Sequence, residues 1–124
     1  MRYLAIASLL LLGGAIAVAA KYDVEILECK ARRVEEGRLS IDGQVRAAKA
    51  IKKLKLTFDF LTSDGELLSS EQAPVEDDSI GRGQESSFHA EAENPPGSVR
   101  LKIRAFDGDG RQLRVGNDGP FIID

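Results

Sequence analysis

From Lys53 to Phe60 the chain alternates without a break: Leu54, Leu56, Phe58 and Phe60 are apolar, and Lys53, Lys55, Thr57 and Asp59 are polar. Successive side chains of an extended chain point to opposite sides. A period of two therefore fits a strand with one buried and one wet face, and does not fit a helix. Val99–Ala105 repeats the design, with Leu101, Ile103 and Ala105 in one row and Arg100, Lys102 and Arg104 in the other. Leu39, Ile41 and Val45 share a face with Gly43 between them, and Phe88, Ala90 and Ala92 make a further row with His89, Glu91 and Glu93 turned away. Tyr22–Ala31 changes parity at Ile26-Leu27, as a β-bulge would make it do. Glu66–Ser70 reads as the return strand of a hairpin, and Arg111–Val115 with Phe121–Ile123 as one broken strand or two.

Turn signals separate these runs. Ser63-Asp64-Gly65 and Asp107-Gly108-Asp109-Gly110 fit hairpins, because glycine accepts the positive φ of a tight turn. Asn94-Pro95-Pro96-Gly97 cannot continue a strand. Glu76–Gly83 reads as a polar surface loop, and Arg46–Lys52 fits either two helical turns or a strand–loop–strand crossing. Short strands at regular spacing, without a long helix, predict an all-β fold: an antiparallel immunoglobulin-like β-sandwich of about seven strands.

Residues 3–20 carry no charge and follow Arg2. A positive start, an apolar stretch and the small residues Ala17, Ala19 and Ala20 match an N-terminal signal peptide, with cleavage before Ala20 or before Lys21. The alternative is an uncleaved anchor, since the run is just long enough to cross a bilayer. Residues 1–20 are thus a leader and residues 21–124 a single β-sandwich domain, exported to the periplasm or the extracellular space. The membrane is touched only through residues 3–20, if they stay attached. Cys29 is the one cysteine of the 124 residues. No internal disulfide can form, so Cys29 reads as a small buried hydrophobe.

The formal net charge of −3 excludes a strongly basic nucleic-acid binder. His89 is the one histidine and faces outward on its strand, which argues against a zinc or copper site and against a nucleophile–base–orienter triad with Ser86 or Ser87. Neither GxSxG nor a phosphate-binding glycine loop occurs. Asp107-Gly108-Asp109-Gly110 departs from a twelve-residue calcium loop, placing Arg111 where an oxygen ligand belongs and Gln112 where glycine belongs. An irregular calcium site of Asp107, Asp109 and Asp118 remains the alternative. Arg46, Lys49, Lys52, Lys53 and Lys55 fall in ten residues without an acid. Outward Lys53 and Lys55 fit protection of a sheet against stray pairing, with an anion-facing patch as the other reading.

The order Leu39-Ser40-Ile41-Asp42-Gly43-Gln44-Val45, then Ile51–Leu56, then Phe58-Asp59-Phe60-Leu61-Thr62-Ser63-Asp64-Gly65 resembles the FxLYD type, an immunoglobulin-like family of bacterial envelope proteins. Gly83-Gln84-Glu85-Ser86-Ser87-Phe88 is similar to that family's turn, small polar, Phe step. The resemblance spans residues 24–106. Leu61-Thr62 stands where the family has Tyr-Asp, and Ala47-Ala48 where it has an Asn. The resemblance implies a fold and a compartment, and no catalytic residue. The expectation is an exported, non-catalytic module without a cofactor that binds another envelope or extracellular protein, with Lys53, Lys55, Asp77, Asp78 and Arg82 as contact positions. Competing expectations are a small-ligand or calcium carrier, and an assembly subunit that pairs through an edge strand.

Overall fold

The computed structural model describes residues 21–35 and 37–124. The leader read over residues 1–20 lies outside the described residues. In chain order the strands are β1 (Val24–Glu35), β2 (Arg38–Ala47), β3 (Ile51–Lys52), β4 (Lys55–Leu61), β5 (Leu67–Pro74), β6 (Ser79–Ile80), β7 (Glu85–Glu93), β8 (Arg100–Phe106), β9 (Gln112–Leu113), β10 (Val115–Gly116) and β11 (Phe121–Ile122). One sheet runs β10-β1-β2-β7. The other runs β11-β8-β4-β5, with β9 also paired to β8. Pairing is antiparallel except between β1 and β10. The fold is the expected all-β sandwich. Six long strands plus the broken segment β9–β11 give the expected seven, and β3 pairs with β6 as an additional short ribbon.

The alternating rows become the core. Leu56, Phe58 and Phe60 of β4 and Leu101, Ile103 and Ala105 of β8 face Leu39, Ile41 and Val45 of β2 and Phe88, Ala90 and Ala92 of β7, all of them buried. The Phe58 and Phe88 ring centroids stand 5.8 Å apart across the two layers. Phe88 pairs with Gly43 in the β2–β7 register. A β-carbon at Gly43 would overlap both the Phe88 ring and the Glu28 carbonyl oxygen. This glycine is therefore required by close approach, not by a turn.

The parity change in β1 is a bulge, with the register against β2 slipping between Ile26 and Glu28. Asn117 Nδ2 donates to the Ile26 carbonyl at 2.8 Å, which satisfies the backbone beside the bulge. The C-terminal segment is broken because it changes partners. β9 pairs with β8, β10 with β1 and β11 again with β8, before Ile123 bridges to Ala31. It stitches the two sheets together along one side. Arg33 fixes its far end by donating to the Ser98 carbonyl at 2.6 Å and the Ile123 carbonyl at 3.2 Å. On the opposite side Val75 and Glu76 make the crossing, where Val75 N donates to Leu54 O on one sheet and Glu76 N to Ser87 O on the other.

One open alternative is decided and two local expectations are corrected. Arg46–Lys52 takes the strand–loop–strand crossing: Ala47 ends β2 and a short loop leads into β3. Within Glu76–Gly83, Ile80 is buried and pairs with Ile51. Lys53 does not project from the strand with Lys55. It precedes β4 in a left-handed turn at φ 53°.

Gly43→Ala is expected to lower stability by about 2–3 kcal/mol, because neither a carbonyl nor a packed ring can withdraw cheaply. Urea denaturation followed by circular dichroism measures this. A change under about 0.5 kcal/mol, the usual range for a surface substitution, would contradict the packing described.

Candidate functional site

With the inner faces apolar, chemistry is confined to the outer faces and the two ends of the sandwich. On the outer face of β5-β4-β8, Asp59 lies opposite Ser70 on one side and Lys102 on the other. Its carboxylate accepts from Arg104 Nε at 2.8 Å, from Arg104 Nη2 at 3.0 Å and from the Ser70 hydroxyl at 2.6 Å. Burial by itself would raise the Asp59 pKa. The hydrogen bonds from Arg104 and Ser70 outweigh it, aided by the charges of Arg104 and Lys102, and hold the carboxyl below its ordinary 3.8. The Arg104 guanidinium also lies 5.7 Å from the centre of the Phe106 ring. The result is a fixed array of polar groups and not a solvated fringe.

A second polar arrangement lies on the outer face of β1-β2-β7. Asp42 and His89 are directly paired in the register, and His89 Nδ1 is 2.6 Å from Asp42 Oδ1. Ser40 Oγ reaches the other Asp42 oxygen at 3.3 Å. The pair lines an open concavity of about 750 Å³ with Glu28, Lys30, Gln44 and Glu76. An imidazole oriented by a carboxylate is a base with its orienting group. Ser87 lines the same concavity, and among the described residues it makes no hydrogen bond to His89. No local pattern signals this pairing, since the partners are 47 residues apart.

A third arrangement is a cleft of about 640 Å³ at the end of the sandwich where β2 ends and β4 begins. Its walls are Asp23, the segment from Lys49 to Lys53, and the hairpin from Asp107 to Leu113. Gly108 lets the hairpin backbone settle there: its N–H donates to the Lys52 carbonyl at 2.9 Å, and a β-carbon would press on that oxygen and on Lys53. Lys53 N donates to the Asp78 carbonyl at 2.6 Å. These bonds hold Lys53 in a left-handed conformation that costs a residue with a β-carbon about 1–2 kcal/mol.

The carboxylates of the cleft are engaged. Asp23 accepts from the Arg114 backbone at 2.8 Å, pairs with the Arg114 guanidinium at 3.3 Å and lies 3.5 Å from Lys49. Burial pushes the Asp23 pKa up, but these partners more than reverse that and lower it. Asp107 Oδ1 accepts from the backbone of Asp109 and of Arg111, both at 2.9 Å, and Arg111 bridges to Asp107 and Asp109 at 3.5 and 3.7 Å. Asp118 stands apart from these two, 3.8 Å from Lys102. Asp107, Asp109 and Asp118 are therefore not brought together. Among the described residues no group of three His, Cys, Asp or Glu side chains is placed to hold a metal ion. Hairpin closure and Arg111 account for Asp107 and Asp109, and Asp118 pairs with Lys102.

The expected contact positions are spread over this end of the molecule. Lys53 lines the cleft, and Asp77 and Asp78 lead into β6 beside it. Arg82 lies in the Gly81–Gln84 turn and lines a smaller hollow with Tyr22 and Arg46. Lys55 is exposed on β4, an interior strand flanked by β5 and β8, so it protects no sheet edge. Cys29 is partly buried against the core, and burial, with the charge of Asp42, pushes its thiol up to about 12. It behaves as an inert hydrophobe.

No protein-family model matches the chain, and no curated protein matches it in sequence. Solved structures do share its architecture. IrmA from Escherichia coli matches with a TM-score of 0.56 at 12% identity, covering 84% of this chain and 99% of that one. The C-terminal domain of Wzt matches with a TM-score of 0.53 at 11% identity, covering 82% and 74%. At such identities the likeness is one of fold, and it defines the chain as a β-sandwich domain.

A carboxyl whose pKa is lower in the folded than in the unfolded state adds stability above its unfolded value, and loses it as pH falls through the folded value. Asp59→Asn is therefore expected to cost about 1 kcal/mol at pH 7, allowing for the partial exposure of Arg104. The difference from the parent chain should begin to close as pH drops below the unfolded value of about 4 and go on closing as pH falls through the lower folded value, where the parent Asp59 is itself protonated. Urea melts of both proteins at pH 7, 5 and 3 measure this. A gap that stays constant with pH would mean that charge is not the source.

Proposed function

We propose that the chain is an exported, non-catalytic β-sandwich module that binds another protein of the cell envelope. The observation that carries this reading is a row of exposed and half-buried side chains on one outer face. Ile122 pairs with Arg100, Arg100 with Leu61, and Leu61 with Leu67, so one line crosses all four strands β11-β8-β4-β5. Ile122 is 70% and Leu67 61% exposed, and Leu68 beside them is 40% exposed. Scattered surface leucines need no explanation, but apolar residues aligned by register on a rigid sheet, with an arginine among them, have the make-up of a protein-binding surface. The uncharged run of residues 3–20 supports export. The resemblance to FxLYD-type envelope domains supports the same compartment. Among the described residues the calcium-carrier alternative has no arrangement of carboxylates in its favour.

Fractionation of cells that make the protein tests both halves. The expected product is extracytoplasmic and begins at Ala20 or Lys21, or remains membrane-bound through its leader. Crosslinking in those cells should join the parent chain to one protein. The double variant Leu67→Asp, Ile122→Asp should lose that product with no change in melting temperature. Full-length product in the cytosol, or crosslinking unaffected by the double variant, would overturn the reading.

A further inference from the structure

We infer that the cleft between Lys53 and the Asp107–Leu113 hairpin is a binding site for a phosphate group, with the ammonium groups of Lys52 and Lys53 as its ligands. The inference goes beyond the proposed protein-binding surface and does not depend on it, since the two features lie at opposite ends of β4.

The first argument is charge accounting within the cleft. Four cations and three carboxylates line it: Lys49, Lys52, Lys53 and Arg111 against Asp23, Asp107 and Asp109. Asp23 is taken by Lys49 and Arg114, and Asp107 and Asp109 by Arg111. Lys52 and Lys53 have no carboxylate within ion-pair distance among the described residues. The surplus in this concave space is therefore positive and is supplied by two neighbouring lysines. Lysine meets phosphate as a point charge, with three donors on each ammonium.

The second argument is conformational and independent of the first. Eight described residues have positive φ: six are glycines, one is Asn117, and the remaining one is Lys53. Elsewhere the chain meets this backbone demand with the residue types that tolerate it. At Lys53 it keeps a long cationic side chain where glycine would be less strained. Strain retained at the mouth of a cleft, held by the backbone bond of Lys53 to Asp78 and that of the neighbouring Lys52 to Gly108, is the pattern of a side chain kept for what it binds.

A phosphate group can come from free phosphate or from a lipid headgroup, and the test separates the two. The full mature chain is titrated with inorganic pyrophosphate by calorimetry, and separately with vesicles of phosphatidylcholine containing phosphatidylglycerol, at about 0.15 M salt to screen diffuse attraction. The expected result is saturable binding of at least one probe. Lys53→Gly, Lys53→Asn and Lys52→Gln should each weaken it about ten-fold or more. Lys55→Gln, on the outer face, should bind as the parent does. Because glycine and asparagine relieve the strained turn, both Lys53 variants should melt no lower than the parent, so lost binding is not lost folding. Binding of pyrophosphate alone assigns a free phosphate, and binding of the vesicles assigns a headgroup. Absence of binding to both probes, or equal loss in Lys55→Gln, would overturn the inference. Neither result would bear on the crosslinked partner of the opposite end.

Discussion

The Phe88 ring lies over a position where no side chain can stand. Gly43 is the one gap in the inward row of β2, and Phe88 from β7 fills it and reaches Phe58 of the opposite sheet. Burying a phenylalanine side chain is worth about 1.5–3 kcal/mol, and two rings in a tilted contact add somewhat to that. The consequence is architectural. Among the described residues the space between the layers is filled by apolar side chains at the centre of the molecule. Whatever the protein recognises must meet an outer face, an edge or an end.

The sandwich is closed on its two sides by different means, and this explains what the sequence made legible. The strands that bury one face announce themselves through parity: β4, β7, β8 and the bulged β1 were all readable, and the glycine turns between them behaved as their φ requires. Gly65 and Gly110, at the two expected hairpins, both have positive φ. β5 was readable only at its start, because as the end strand of its sheet it is wet on both faces and shows no alternation to read. The C-terminal segment was ambiguous for another reason. It serves two sheets in turn, so the partner of each short piece is set by long-range register and not by local pattern. The same limit applied to the polar sites. Asp59–Arg104 and Asp42–His89 are cross-strand pairs, 45 and 47 residues apart in the chain. The cleft draws its walls from three separated segments. Lys53 was misplaced because its alternation with Leu54 mimics a strand, while the backbone turns there.

The correction at Lys55 moves the problem of stray sheet pairing elsewhere. A lysine on an interior strand guards no edge, yet β5 offers eight residues with one side unpaired. Its inward-facing positions are those opposite Leu56, Phe58 and Phe60, namely Ala73, Glu71 and Ser69. Glu71 therefore points to the core side of the sheet from an edge strand, while remaining exposed. A second strand added there would have to bury that charge or turn it outward. Inward charge on an end strand is a known way of discouraging edge-to-edge association, and Pro74 ends the strand without a backbone donor. The residues of β5 thus oppose edge-strand assembly along that edge, while the nine-residue β7 is the end strand of the other sheet.

The two ends of β4 carry the two features of functional interest, and their separation follows from strand geometry. The cleft with Lys53 lies before Lys55, and the exposed apolar row passes through Leu61. At about 3.3 Å per residue, the length of β4 sets them roughly 20 Å apart. Between them stands the Asp59–Arg104–Ser70 network, which fixes polar side chains on the outer face. An apolar partner surface at one end does not shield the lysines at the other, and an anion at the lysines does not meet the apolar row. A rigid sheet of this length can hold two ligands of opposite chemistry at the same time. The filled core makes that separation a fixed distance and not an average over conformations.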